Sequence, residues 1–266
     1  SDLTRSEVKE LIRKNKEENK KFIGTFAHLP CEDTLEILGY AGFDFAIIDM
    51  EHSPIAKEES IRYIRAVETS EMIPMVRVPD VNDETAIRKV LDNGAAGVVI
   101  PGISTADMAR QAVKYSKFFP EGKRGACPLV RANKYYVNGT DGHFERSNKE
   151  VSIMLMVEGK EGIENFDEIV NVQGVDAVLF GPVDMSVSLG HAGDVNHPEV
   201  TEAITRLIKK ANAAGVCVGM TAFAAEDTGK WIDAGADFIL VGCDILLYAE
   251  AVKAAVKTAR GQMKGA

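Results

Sequence analysis

In the stretch FAIIDMEHSP, Phe45 to Pro54, five apolar or small residues lead straight into Asp49, Glu51 and His52. The same arrangement, a polar group where an apolar run stops, recurs along the chain at His28, Arg77, Glu158, Asp184 and Asp244. If those runs are strands of a parallel barrel, their ends share one face, which is where such barrels hold their active sites. Glu158 and Asp184 then close successive strands about 4.8 Å apart, so both carboxylates can reach one cation. Two carboxylates with no cysteine and no histidine pair beside them suit a hard divalent ion, Mg2+ or Mn2+, that keeps positions for water and substrate; they disfavour zinc. Taken singly, either acid also reads as a helix cap. A guanidinium at a barrel mouth needs an anion, so Arg77 expects a protein carboxylate or a substrate. His52, beside it on a neighbouring strand, is either a catalytic or a structural histidine. GPVDMS, Gly181 to Ser186, opens a helix-like segment, and its free amides around Gly181, Val183 and Asp184 can hold a substrate carboxylate. Together these groups point to a small 2-oxo acid chelated to a metal.

The elements that must position these residues are legible as a rhythm. Eight short apolar runs recur: FIGTFAH (Phe22 to His28), FAIIDMEH (Phe45 to His52), IPMVRVP (Ile73 to Pro79), GVVIPG (Gly97 to Gly102), SIMLMVEG (Ser152 to Gly159), AVLFGPVD (Ala177 to Asp184), VCVGMTA (Val216 to Ala222) and FILVGCD (Phe238 to Asp244). Each is too brief for a helix, and an amphipathic segment follows each. Continuous rather than alternating apolar character is what strands covered on both faces require. Eight such units predict an α/β fold, a (β/α)8 barrel, and 266 residues match the roughly 250 of a single barrel domain spanning 1–266. EILGYAGFD, VLDNGAAG, IVNVQGVD and WIDAGADF place glycine between a helix end and the next strand. Thr4 and Glu7 have the spacing of a capping box and predict an N-terminal helix through Val8, Leu11 and Ile12. Residues 120–150 break the rhythm and are expected to form a lid or a subunit-contact loop rather than a second domain.

Composition narrows the function. At 45% hydrophobic and 27% charged, the chain has a large core and a globular balance. A net charge of -9 argues against nucleic acid, whose binding needs clustered Lys and Arg. No apolar run approaches the roughly 20 residues of a membrane helix. Cys31, Cys127, Cys217 and Cys243 show no CxxC pairing, so free thiols and a cytoplasmic location are expected.

The chain resembles the HpcH/HpaI aldolase family. The likeness runs from Ile23 to about Tyr248 and is most specific in IIDMEHSP, VRVPDVND, VLDNGAAGVVIPGISTADMA, PEGKRG and VEGKEGIENFDEIVNVQGVDAVLFGPVDMSVSLGHAGDVNHPEV. It implies a barrel with an exchanged C-terminal helix, a homo-oligomer built as a hexamer of exchanged dimers, and class II aldol chemistry: reversible cleavage of a 4-hydroxy-2-oxo acid to pyruvate and an aldehyde. By the motif match Glu158 and Asp184 would hold a divalent metal, Mg2+ or Mn2+ with Co2+ a further option. His52 would act with Asp92 as a base dyad, and Arg77 would hold the 2-oxo oxygen. Without the resemblance Asp92, in VLDNG, reads as a surface cap residue. Arg131, in LVRANKYY, is a candidate distal substrate contact or a surface or interface arginine. Lys160 reads as a solvated helix-start residue rather than a Schiff-base lysine. Two departures stand out: Met156 and Gly159 replace the glutamine and the Thr or Ser that relatives carry. Met156 faces the same side as Glu158, so a polar group expected near the substrate is missing. A citryl-thioester lyase or phosphoenolpyruvate mutase on a similar barrel, or a non-catalytic binding protein, are the alternative readings.

Overall fold

The structure, a computed structural model, describes Lys14, residues 16–18, residues 20–140 and residues 142–263. The helix expected around Thr4 to Ile12 lies outside the described residues. Eight strands form, β1 (Phe22–Ala27), β2 (Phe45–Asp49), β3 (Ile73–Arg77), β4 (Gly97–Ile100), β5 (Ser152–Val157), β6 (Ala177–Phe180), β7 (Cys217–Ala222) and β8 (Phe238–Cys243). They pair in sequence order, all parallel, and β8 closes back onto β1. The predicted (β/α)8 barrel is the fold, with every expected run present as a strand.

Two apolar layers explain why the runs read as continuous. Side chains such as Phe45, Ile47, Met75, Val99, Leu179 and Leu240 fill the barrel interior. Their alternating neighbours, Ile48, Val76, Val98, Leu155, Val178 and Val218, pack outward against the helices. Both faces of each strand are therefore dry, as a parallel sheet requires. The helix-ending glycines behave as their spacing predicts: Gly94 and Gly235 take φ of 107° and 108°, the left-handed cap conformation that lets the chain turn into β4 and β8.

Residues 120–150 do not cover the mouth of their own barrel, which corrects the lid expectation. A 3-10 turn at Arg131–Tyr136 and a helix at His143–Glu150 form, and Arg131 Nη1 donates to the Asn93 carbonyl at 3.0 Å. Asn93 ends the helix Glu84–Asn93, just before β4 begins, so the segment is fastened at the N-terminal end of the strands. The buried Lys117 ammonium locks it further, donating to the carbonyls of Asn148 at 2.5 Å and Val151 at 2.8 Å.

The last helix, Asp244–Met263, buries only Asp244 and leaves Ile245, Leu247, Tyr248, Val252, Val256 and Met263 exposed. Among the described residues no helix is long and apolar enough to cross a membrane.

Candidate active site

The register of β2 on β3 places Asp49 opposite Arg77, each the last residue of its strand. Arg77 donates through Nε to Asp49 Oδ1 at 2.7 Å and through Nη2 to Oδ2 at 2.9 Å. This bidentate fork fixes the guanidinium plane. Its carbon stacks 4.6 Å above the Phe26 ring, and both charged groups are buried. Asp49 also takes the amides of Glu51 at 3.0 Å and His52 at 3.2 Å, so the turn after β2 is wrapped around its carboxylate.

His28, from the end of β1, supplies a second cation. Its Nε2 lies 3.0 Å from Asp49 Oδ2. The Asp49 carboxylate first, then the adjacent Cys243 thiol, against the cost of burial, lift the imidazole from 6.5 to about 9. Burial alone would raise the Asp49 carboxyl, but bonds from His28 and Arg77 outweigh it and hold that carboxyl well below the usual carboxylate range. Asp244, at the end of β8, accepts the amides of His28 at 2.9 Å and Leu29 at 3.0 Å, which makes it a backbone clamp rather than a substrate group.

Against this rigid fork stand three acids. Arg77 Nη1 lies 3.0 Å from Glu51 Oε2, but without hydrogen-bond alignment, so that oxygen is buried with no hydrogen-bond partner. Glu158, just past β5, accepts the Gly102 amide through Oε1 at 2.8 Å. A side chain at Gly181 would place its Cβ 2.6 Å from Glu158 Oε2, so glycine is what lets the end of β6 approach the carboxylate. Asp184 sits exposed in the first turn of the helix Pro182–Ser188, whose N1 position is proline; the amides of Gly181's successors Val183 and Asp184 therefore start the turn without intrahelical acceptors. Burial, then the neighbouring Asp184 and Glu51, push the Glu158 carboxyl up, outweighing the Gly102 amide and Arg77. Glu51 rises likewise, through burial first and through Asp49 and Asp184, in spite of Arg77 and His52. Acids pushed up by burial and then by one another, one of them with a buried carboxylate oxygen that has no hydrogen-bond partner, fit a site that accepts a hard dication. Glu158 and Asp184, the pair read from the sequence, offer it two carboxylates.

The structure separates the rest of the sequence-predicted set. His52 stands at the mouth, its side chain 64% exposed, with Nε2 3.5 Å from Glu51 Oε2. Asp92 lies in the last turn of Glu84–Asn93, at the opposite end of the barrel, and pairs with the buried Arg124 at 2.5 Å. No His52–Asp92 dyad forms within one chain. Arg131 is likewise at the far end, on Glu68 and the Asn93 carbonyl. Met156 touches Arg77 Nη1 through sulfur at 3.8 Å, a weak acceptor beside the Glu51 carboxylate that pairs with the same nitrogen. At Gly159, which has no side chain to cap the helix Lys160–Glu164, Ser188 Oγ accepts the Lys160 amide at 2.7 Å instead.

Fold and mouth together define a (β/α)8-barrel enzyme built around a fixed guanidinium and a set of carboxylates. The chain belongs to the HpcH/HpaI aldolase/citrate lyase family, whose pattern matches residues 23–251. It is 35% identical over 232 residues, 87% of this chain and 89% of the relative, to the 5-keto-4-deoxy-D-glucarate aldolase of Escherichia coli O6:H1. A HpcH/HpaI aldolase/citrate lyase family protein from Burkholderia cenocepacia superposes with a TM-score of 0.90 at 30% identity, over 96% of this chain and 99% of that one. Citrate synthase SbnG superposes at 0.84 with 29% identity, over 95% and 98%. The protein is accordingly a carbon–carbon lyase of the aldolase type.

Proposed function

We propose that this chain is a class II pyruvate aldolase that cleaves a 4-hydroxy-2-oxo acid, reversibly, to pyruvate and an aldehyde. The observation that carries this reading is the Asp49–Arg77 fork facing Glu51, Glu158 and Asp184 across the barrel mouth. Glu158 and Asp184 would hold a divalent cation, Mg2+, Mn2+ or Co2+. When bound, such an ion supplies Lewis-acid polarisation of the 2-oxo group.

The chain's own groups then do the following. The amides of Val183 and Asp184, beside Gly181, bind the substrate carboxylate at a helix start. Arg77, pinned by Asp49, presents Nη1 to the oxygen on which negative charge develops as the C3–C4 bond breaks. Because the guanidinium is already oriented, it does not reorganise in the transition state, which is where a fixed charge contributes most. His52, exposed beside Glu51, accepts the 4-hydroxyl proton through water. The pairing of His52 with Asp92 can be made only between copies of the chain, the mouth of one against the far end of another. A homo-oligomer is proposed on the same ground and on the apolar face of the helix Asp244–Met263, which one chain leaves uncovered. Arg131, at that far end, would reach substrate only in such an assembly.

The likeness to a citrate synthase favours one variant, in which the enzyme runs as a carbon–carbon bond-forming condensation on the same enolate. Measuring pyruvate release from 4-hydroxy-2-oxo acids, with and without a chelator, tests the reading. Chelator-sensitive release supports it, and no pyruvate from any such acid overturns it.

A further inference from the structure

We propose that His191, His197 and Glu199 form a second metal site, for a borderline transition ion of the Zn2+, Ni2+ or Cu2+ class. The ligand-bearing atoms of these three side chains all lie within 4.8 Å of one another, an arrangement the mouth carboxylates do not reach as a trio. His191 Nε2 sits 2.7 Å from Glu199 Oε2, and His197 Nδ1 accepts the Glu199 amide at 3.3 Å. The two imidazoles stack face to face, with ring centroids 3.5 Å apart and planes inclined by 14°. Two imidazoles and one carboxylate are a ligand set that zinc, nickel and copper prefer and that magnesium and manganese do not. Metal–nitrogen bonds near 2.0 Å put neighbouring ligand atoms about 3.3 Å apart, and because each imidazole binds in its own ring plane, the two stacked rings must unstack to aim a nitrogen each at one ion.

The scaffold that presents these side chains is fixed by its backbone. The His191 amide donates to the Ser186 carbonyl at 2.7 Å, the Asp194 amide to the His191 carbonyl at 2.9 Å, and the His197 amide to the Asp194 carbonyl at 3.2 Å. His197 caps the sixteen-residue helix Pro198–Ala213, and Glu199 lies in its first turn. The positive end of that helix opposes a cation, which sets the affinity below that of a closed Cys/His centre. Glu199 is exposed, so the fourth position is open to water. A bound ion would tie the helix Pro198–Ala213 to the loop that leaves the helix Pro182–Ser188, the element bearing Asp184. The site shares no ligand with the mouth and does not depend on the aldolase reading.

The test is calorimetric titration of chelator-stripped, tag-free full-length protein with Zn2+, alongside Mn2+ titrations. The Glu158→Gln/Asp184→Asn variant should keep one zinc site and lose Mn2+ binding. His191→Ala should weaken zinc at the second site by about a hundredfold or more, at or above the top of the range for losing an outer-shell partner, while Mn2+ binding is unchanged. His191→Gln, which preserves a hydrogen-bonding side chain beside Glu199, should behave the same way and guards against misfolding of the alanine variant. Wild-type zinc binding in both His191 variants, or complete loss of zinc from the Glu158→Gln/Asp184→Asn protein, would overturn the proposal.

Discussion

Asp49→Asn removes the anion shared by the buried Arg77 and the half-buried His28. In the wild type Asp49 accepts two bonds from Arg77, at 2.7 and 2.9 Å, and lies 3.0 Å from His28 Nε2. Breaking a buried pair by removing one partner costs about 3–5 kcal/mol, because the remaining charge stays desolvated. A second route gives a similar figure: the rise of His28 from 6.5 to about 9 corresponds to about 3 kcal/mol of preference for the charged form. The sign follows from that rise. A group whose folded value lies above its unfolded one stabilises fully below pH 6.5 and loses that contribution as pH climbs through about 9. Urea unfolding at fixed protein concentration should therefore show wild-type stability declining across this window, by up to about 3 kcal/mol. Asp49→Asn should be less stable by about 3–5 kcal/mol at pH 6.5 and flatter above it. Carbon-13 labelled histidine would report His28 directly, titrating near 9 in the wild type and near its ordinary value in the variant. An unchanged His28 titration, or a stability loss below about 1 kcal/mol, would refute the claim that Asp49 holds both cations.

Arg77→Ala should lower kcat by about a hundredfold while changing pyruvate affinity less, because the charge it meets is larger in the enolate than in the ketone; equal losses in both would make it a carboxylate anchor. Gly181→Ala should push Glu158 aside and weaken Mn2+ binding about tenfold with a thermal midpoint close to wild type, as read by calorimetry and thermal unfolding. His52→Ala and Asp92→Ala chains should each be slow alone. Refolded together they should regain part of the wild-type rate, since a dyad between copies is restored in mixed assemblies; no regain would leave Asp92 as a partner of Arg124 only.

Much of this was legible in the chain because parallel strands buried on both faces leave continuous apolar runs, and the residues ending them land on one face. Asp49, Arg77, Glu51, Glu158 and Asp184 were all found that way. Their partnerships were not, since the pairing of Asp49 with Arg77 depends on the β2–β3 register, which no single run encodes. His28 was visible as a strand-end residue, but its charge follows from Asp49 and Cys243 converging on it from two other strands. The misplacement of residues 120–150 has a different cause. Length and composition mark an irregular segment, whereas its location is set by Lys117, Arg124 and Arg131 fastening it to carbonyls and acids at the far end. For Asp92, helix direction decides: a residue closing a helix that precedes β4 lies a full strand length from the end of β2.

The central claim, that Arg77 and the Glu158–Asp184 pair stabilise the enolate of a 2-oxo acid, is tested most directly by deuterium exchange at C3 of pyruvate, followed by proton NMR without any aldehyde. Wild-type protein with Mn2+ or Mg2+ should exchange rapidly. Chelator, Glu158→Gln and Asp184→Asn should each reduce exchange to background, and Arg77→Ala should slow it by about a hundredfold. Exchange that proceeds at the wild-type rate in Glu158→Gln, or in the presence of chelator, would contradict the account.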